Sequence, residues 1–103
     1  MTRTLWITLA LAWLTGPALA ADAKNGKALA RDWCATCHLV EKKGAGGDGA
    51  PPFESIANDP ARTDSYLRSW LADPHPAMPN LQLSRNEIDD LVAYLQSLKK
   101  KSK

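Results

Sequence analysis

The 103-residue chain is poor in several things that would point elsewhere. It holds two cysteines. A structural zinc centre usually takes four protein ligands, and no second cysteine pair exists to complete one. No stretch alternates apolar and polar residues as a half-buried strand would, and no internal repeat is present, so neither a sheet nor a solenoid is expected. The longest apolar run, Leu5 to Leu14, falls short of the about 20 residues that cross a bilayer. Charge is nearly balanced, with 13 Lys and Arg against 11 Asp and Glu, which leaves no basic footprint for nucleic acid. The glycine-rich stretch Gly44-Ala45-Gly46-Gly47-Asp48-Gly49 lacks the Lys-Ser/Thr ending of a phosphate loop and follows no strand. It reads as a flexible connector.

What is present begins with an export signal. Arg3 gives a positive start, Leu5 to Leu14 an apolar centre, and Gly16-Pro17 a break before the small-residue pattern Ala18-Leu19-Ala20. Residues 1–20 are therefore expected to be a cleaved signal peptide, leaving 21–103 as one periplasmic domain with no membrane span. Trp6 and Trp13 leave with the signal. A domain this short buries too little apolar surface to be secure without a staple.

The run Cys34-Ala35-Thr36-Cys37-His38 supplies one. Two thiols at i and i+3 lie near one face of a helical turn, where both can add across the two vinyl groups of a single porphyrin. The histidine that follows is where an imidazole can ligate iron from the proximal side. A Cys-x-x-Cys-His run is the attachment signal of c-type haem, whereas a thioredoxin-like redox pair needs no adjacent histidine and requires a βαβ context absent here. One haem c, held covalently by Cys34 and Cys37 with His38 on the iron, is the expected cofactor. Because the haem would complete the core, the chain without it is expected to be largely disordered.

Around the motif the sequence predicts helices. Asp22 to Trp33 contains the helix formers Ala28, Leu29 and Ala30, with Asp22 as a candidate cap. Gly26 within it is unfavourable unless another helix crosses closely there. Thr63 to Ala72 forms a second helix, capped by Thr63 or Asp64, with Leu67, Trp70 and Leu71 on one face. The last is the clearest. Ser84-Arg85-Asn86-Glu87 is a capping box, and Ile88, Leu91, Val92, Leu95 and Leu98 recur on one side. The lysine-rich tail 99–103 suits a helix C-terminus.

The second axial position decides between electron transfer and ligand chemistry. After signal removal Met78 is the one methionine left, in a segment with Pro74, Pro76 and Pro79 that excludes regular helix. Pro79 drives Met78 toward extended backbone, so such a loop can hold a thioether steadily; a gap-filling core methionine is the competing reading. His75 is the other candidate ligand, and an open site the third. A thioether favours ferrous iron and raises the potential relative to bis-histidine ligation. A filled sixth position also denies the iron to oxygen and peroxide, so the expectation is a carrier and not an enzyme.

Taken together, Cys34-Ala35-Thr36-Cys37-His38, Pro51-Pro52-Phe53, Ala77-Met78-Pro79 and Leu91-Val92-Ala93-Tyr94-Leu95 make the chain resemble the class I bacterial cytochromes c from about Asp22 to Leu98. The resemblance implies an all-α cytochrome c fold, three to five helices wrapped around one covalent haem. It implies that Gly26 marks the crossing of the N- and C-terminal helices near Tyr94. It also implies that the Pro51 carbonyl, or its Pro52 neighbour, accepts the Nδ1–H of His38 and makes it a more basic ligand. Trp70 resembles the tryptophan whose indole N–H serves a haem propionate; an ordinary core tryptophan is the alternative. The family often has an aromatic where this chain has Ala30, so a closer or poorer crossing is expected, with Trp33 as compensation.

Function then divides two ways. The first is a soluble electron carrier of a respiratory chain, cycling Fe(II)/Fe(III) with transient donor and acceptor proteins through weak contacts. In that reading Lys24, Lys27, Lys42 and Lys43 steer an acidic partner or simply form a solvated surface. The second is a haem c sensor or ligand-binding protein, or the haem subunit of a periplasmic oxidoreductase complex.

Overall fold

The computed structural model describes residues 20–44 and 46–100. The expected signal peptide, apart from Ala20, and the last three residues of the lysine tail lie outside the described residues. Four helices follow in order: α1 Ala23–Trp33, α2 Phe53–Asn58, α3 Asp64–Ala72 and α4 Arg85–Ser97. Among the described residues there is no strand, only an isolated bridge between Leu39 and Gly46. This is the all-α architecture expected.

The helix starts follow from local chemistry. The Asp22 side chain accepts from the backbone N–H groups of Lys24 and Asn25, and Thr63, not Asp64, caps α3 by accepting from Tyr66 N. At α4 both halves of the capping box form, with Ser84 Oγ accepting from Glu87 N and the Glu87 carboxylate accepting from Ser84 N. Such caps satisfy N–H groups that a helix start leaves without partners.

Helices α1 and α4 cross to form the frame. A Cβ at Gly26 would collide with the backbone carbonyl of Asp90 and lie 2.9 Å from Tyr94 Cβ, so only glycine permits this approach. The Asp90 carboxylate fixes it by accepting from Asp22 N and Asn25 Nδ2, each at 2.7 Å. Ile88, Leu91, Val92, Leu95 and Leu98 are all buried, together with Tyr94 and Ala30. The Tyr94 hydroxyl donates to the Val40 carbonyl at 2.5 Å, tying α4 to the segment after the cysteine motif. Burial raises the Tyr94 phenol above its usual value.

Two expectations change. Trp33 does not stand in for the missing aromatic, because it is 60% exposed while Ala30 is wholly buried. Helix α2 was not anticipated. Its six residues are too short to declare themselves by periodicity, yet Phe53 and Ala57 are buried one turn apart. Asn58 docks it to the end of α4 by donating to the Leu98 carbonyl at 3.2 Å and accepting from Lys100 N at 2.8 Å.

Candidate haem-binding site

Helix α1 runs directly into the cysteine motif. Cys34 caps it, its N–H donating to the Ala30 carbonyl at 2.9 Å. One tight turn continues, with the N–H groups of Cys37 and His38 both donating to the Cys34 carbonyl, at 3.2 and 2.9 Å. That turn brings Cys34, Cys37 and His38 to the wall of one cavity of about 590 Å³, within the roughly 300–1,000 Å³ typical of ligand pockets. No disulfide joins Cys34 and Cys37, so both are available for thioether attachment. Cys34 is buried, which pushes its thiol, before haem attachment, up to about 11.

The glycine-rich segment is not a free connector. It folds back on the motif, Gly47 N donating to the Ala35 carbonyl at 2.7 Å and Ala50 N to the Cys37 carbonyl at 2.9 Å. A side chain at Gly46 would collide with the His38 carbonyl, and Gly46 has a φ of 128°. Glycine is therefore required there by contact and by conformation. The segment delivers Pro51 to the imidazole, where His38 Nδ1 lies 2.7 Å from the Pro51 carbonyl oxygen. A carbonyl only accepts, so Nδ1 carries the proton and Nε2 keeps the lone pair that can ligate a metal. The Phe53 ring meets the imidazole edge-on at 5.2 Å, and Phe53 N donates to the Leu39 carbonyl at 2.9 Å.

The segment between α3 and α4 forms another part of the wall, contributing His75 and Met78. Met78 N donates to the His75 carbonyl at 3.1 Å, closing a short turn. Trp70, from α3, lines the same cavity, and its indole Nε1–H donates to Met78 Sδ at 3.1 Å. The indole stacks on Tyr66 at 6.2 Å and meets the His75 ring at 4.6 Å. The donor set suits a covalent haem: two thiols for the vinyl groups, an oriented imidazole nitrogen and a soft thioether, gathered on one apolar cavity.

The lysines gather elsewhere. Lys24, Lys27, Lys42 and Lys43 line a second, more open groove between α1 and the end of α4, and none of them lines the larger cavity. Glu41 sits among them, 3.4 Å from Lys27 and hydrogen-bonded by Arg31. The Arg31 hydrogen bond, with Lys27 beside it, holds the Glu41 carboxyl below the usual glutamate range.

Sequence comparison agrees with the site. A family model described as cytochrome c oxidase, cbb3-type, subunit III matches residues 21–95. Cytochrome c-552 of Bradyrhizobium diazoefficiens is 42% identical over 98 residues, a match that takes in 94% of each chain. No solved structure matches. Most of the chain, cysteine motif included, is covered by both matches, so it belongs to the cytochrome c family as a small monohaem c-type cytochrome, an electron-transfer protein with covalently bound haem c.

Proposed function

We propose that the protein is a periplasmic electron carrier that does no catalysis of its own, with Cys34 and Cys37 as the haem thioethers and His38 and Met78 as axial ligands. The observation that carries this is the meeting of four donors on one cavity: both thiols, the imidazole and the Met78 sulfur. The bound haem supplies a one-electron Fe(II)/Fe(III) couple. The chain's own residues do the rest. The Pro51 carbonyl holds the His38 ring with Nε2 left unprotonated and able to ligate an iron, and the wall that includes Leu67, Trp70 and Met78 would limit water. A thioether there favours the ferrous state and keeps small ligands out. Trp33, 60% exposed on the cavity rim, offers an apolar surface at which a partner can dock briefly. Residues 1–20 act as the export signal, a reading supported by the family match beginning at residue 21. Among the described residues no helix is long and apolar enough to cross a membrane.

The test is optical. The oxidised protein should carry the weak sulfur-to-iron charge-transfer band, lost in Met78→Ala, and the reduced wild type should not bind carbon monoxide rapidly. Rapid binding, or a band never present, would move the sixth ligand to His75 or to an open site. The oxidase-subunit description of the matched family supports a second reading, the haem subunit of an oxidoreductase complex. Native electrophoresis of a periplasmic extract separates the two: a carrier migrates near its own mass, a subunit with its complex.

A further inference from the structure

We infer that Phe53 is a positioning residue for His38: with Tyr94 it forms an aromatic clamp on residues 38–40 that sets the plane of the imidazole. The inference rests on the proposed ligation of iron by His38. The hydrogen bond from Nδ1 to the Pro51 carbonyl, 2.7 Å away, fixes one point of the ring but leaves it free to tilt about that point. Phe53 supplies the second contact. Its ring meets the imidazole at 5.2 Å with an interplanar angle of 63°, the edge-to-face geometry that aromatic pairs prefer.

The clamp is itself held firmly. Phe53 is buried, and its N–H donates to the Leu39 carbonyl at 2.9 Å. Its ring also meets the Tyr94 ring at 6.4 Å, and the Tyr94 hydroxyl donates to the Val40 carbonyl at 2.5 Å. Consecutive residues are thus gripped by one pair of aromatic residues: the side chain of His38, the carbonyl of Leu39 and the carbonyl of Val40. Helix α1 offers Tyr94 no aromatic, since its one such ring, Trp33, is exposed. Among the described residues Phe53 is the ring that meets Tyr94, so the route from α4 to the imidazole runs through it. Groups behind a ligating histidine fix the orientation of its ring. In ferric haem the unpaired spin follows the planes of the axial ligands, so the clamp can be read in the magnetic spectrum separately from its share of stability.

The experiment compares oxidised holoprotein of the wild type with Phe53→Leu, Phe53→Tyr and Tyr94→Phe. Val92→Ala serves as a packing control, because Val92 is buried in the core but is no part of the clamp. Three readouts are taken: the proton shifts of the haem methyl groups, the g-values at low temperature and the denaturant midpoint. Phe53→Leu should redistribute the methyl shifts and move the largest g-value by more than Val92→Ala does, even where both lose similar stability. Tyr94→Phe keeps both rings and frees the Val40 carbonyl, so it should move them less and in the same sense. Phe53→Tyr keeps the ring and should keep the wild-type pattern. A wild-type pattern in Phe53→Leu, or an equal change in Val92→Ala, overturns the inference and leaves His38 ligation standing. If Phe53→Leu retains no haem, a wild-type pattern in Tyr94→Phe overturns it in the same way. A wild type without strongly shifted His38 ring protons removes the ligation reading and this inference together.

Discussion

The two walls of the cavity, one carrying His38 and the other Met78, are built differently. His38 is embedded in backbone. The turn at Cys34, the fold-back of Gly47 and Ala50, and the Pro51 carbonyl on Nδ1 all hold it, and the α1–α4 frame lies behind. Met78 hangs in a proline-rich segment whose tie to another element is the Trp70 indole. Under the proposed His38/Met78 ligation, one ligand is fixed by the fold and by covalent attachment beside it, while the other is held by fewer contacts. Ligand loss should accordingly begin at the sulfur.

The comparison can be broken most completely at the thiols. Cys34→Ala with Cys37→Ala should abolish covalently retained haem on a denaturing gel, and far-ultraviolet circular dichroism should fall sharply. Near-native dichroism would mean that the α1–α4 frame stands without the cofactor. Next in size is Gly26→Ala, whose Cβ meets the Asp90 carbonyl. It should force the frame open and lower denaturant stability by about 3 kcal/mol; an unchanged midpoint would mean that the crossing is looser than described. Tyr94→Phe removes the donor to the Val40 carbonyl and should cost about 1–3 kcal/mol in the same assay. Because burial raises the Tyr94 phenol, its hydroxyl stays a donor at neutral and mildly alkaline pH, and the loss should hold across that range.

The smallest effect belongs to Glu41. Its carboxyl is lowered by Arg31 and Lys27 in the folded chain. The unfolded chain therefore takes up its proton first as pH falls below the usual glutamate value of about 4.3. Stability from this group is complete above that value and is lost as pH falls through the folded one. Glu41→Gln should flatten this part of the acid limb and leave neutral-pH stability slightly reduced. An acid limb identical to wild type would assign that loss to other carboxylates.

Legibility followed the range of the interactions. Asp22, Thr63 and the Ser84–Glu87 box act on N–H groups within three residues, so the starts of α1, α3 and α4 were readable from sequence. The cysteine motif was readable for the same reason, since i and i+3 on one turn suffice to pair its thiols with one cofactor. Helix α2 was hidden, because six residues carry too little pattern and its docking partner Leu98 lies 40 positions away. The glycine-rich stretch looked free because flexibility and close approach use the same residue; the His38 carbonyl against Gly46 and the Thr36 carbonyl against Gly47 distinguish them.

By itself, then, the sequence determined α1, α3 and α4, the thiols and the imidazole, all of them matters of neighbouring residues and their intrinsic chemistry. Tertiary structure alone decided that Pro51 supplies the carbonyl, that the lysines gather away from the cavity, and that the Trp70 indole faces the Met78 sulfur. Each of these depends on where separate segments meet in space, and the periodicity of a chain carries no record of that.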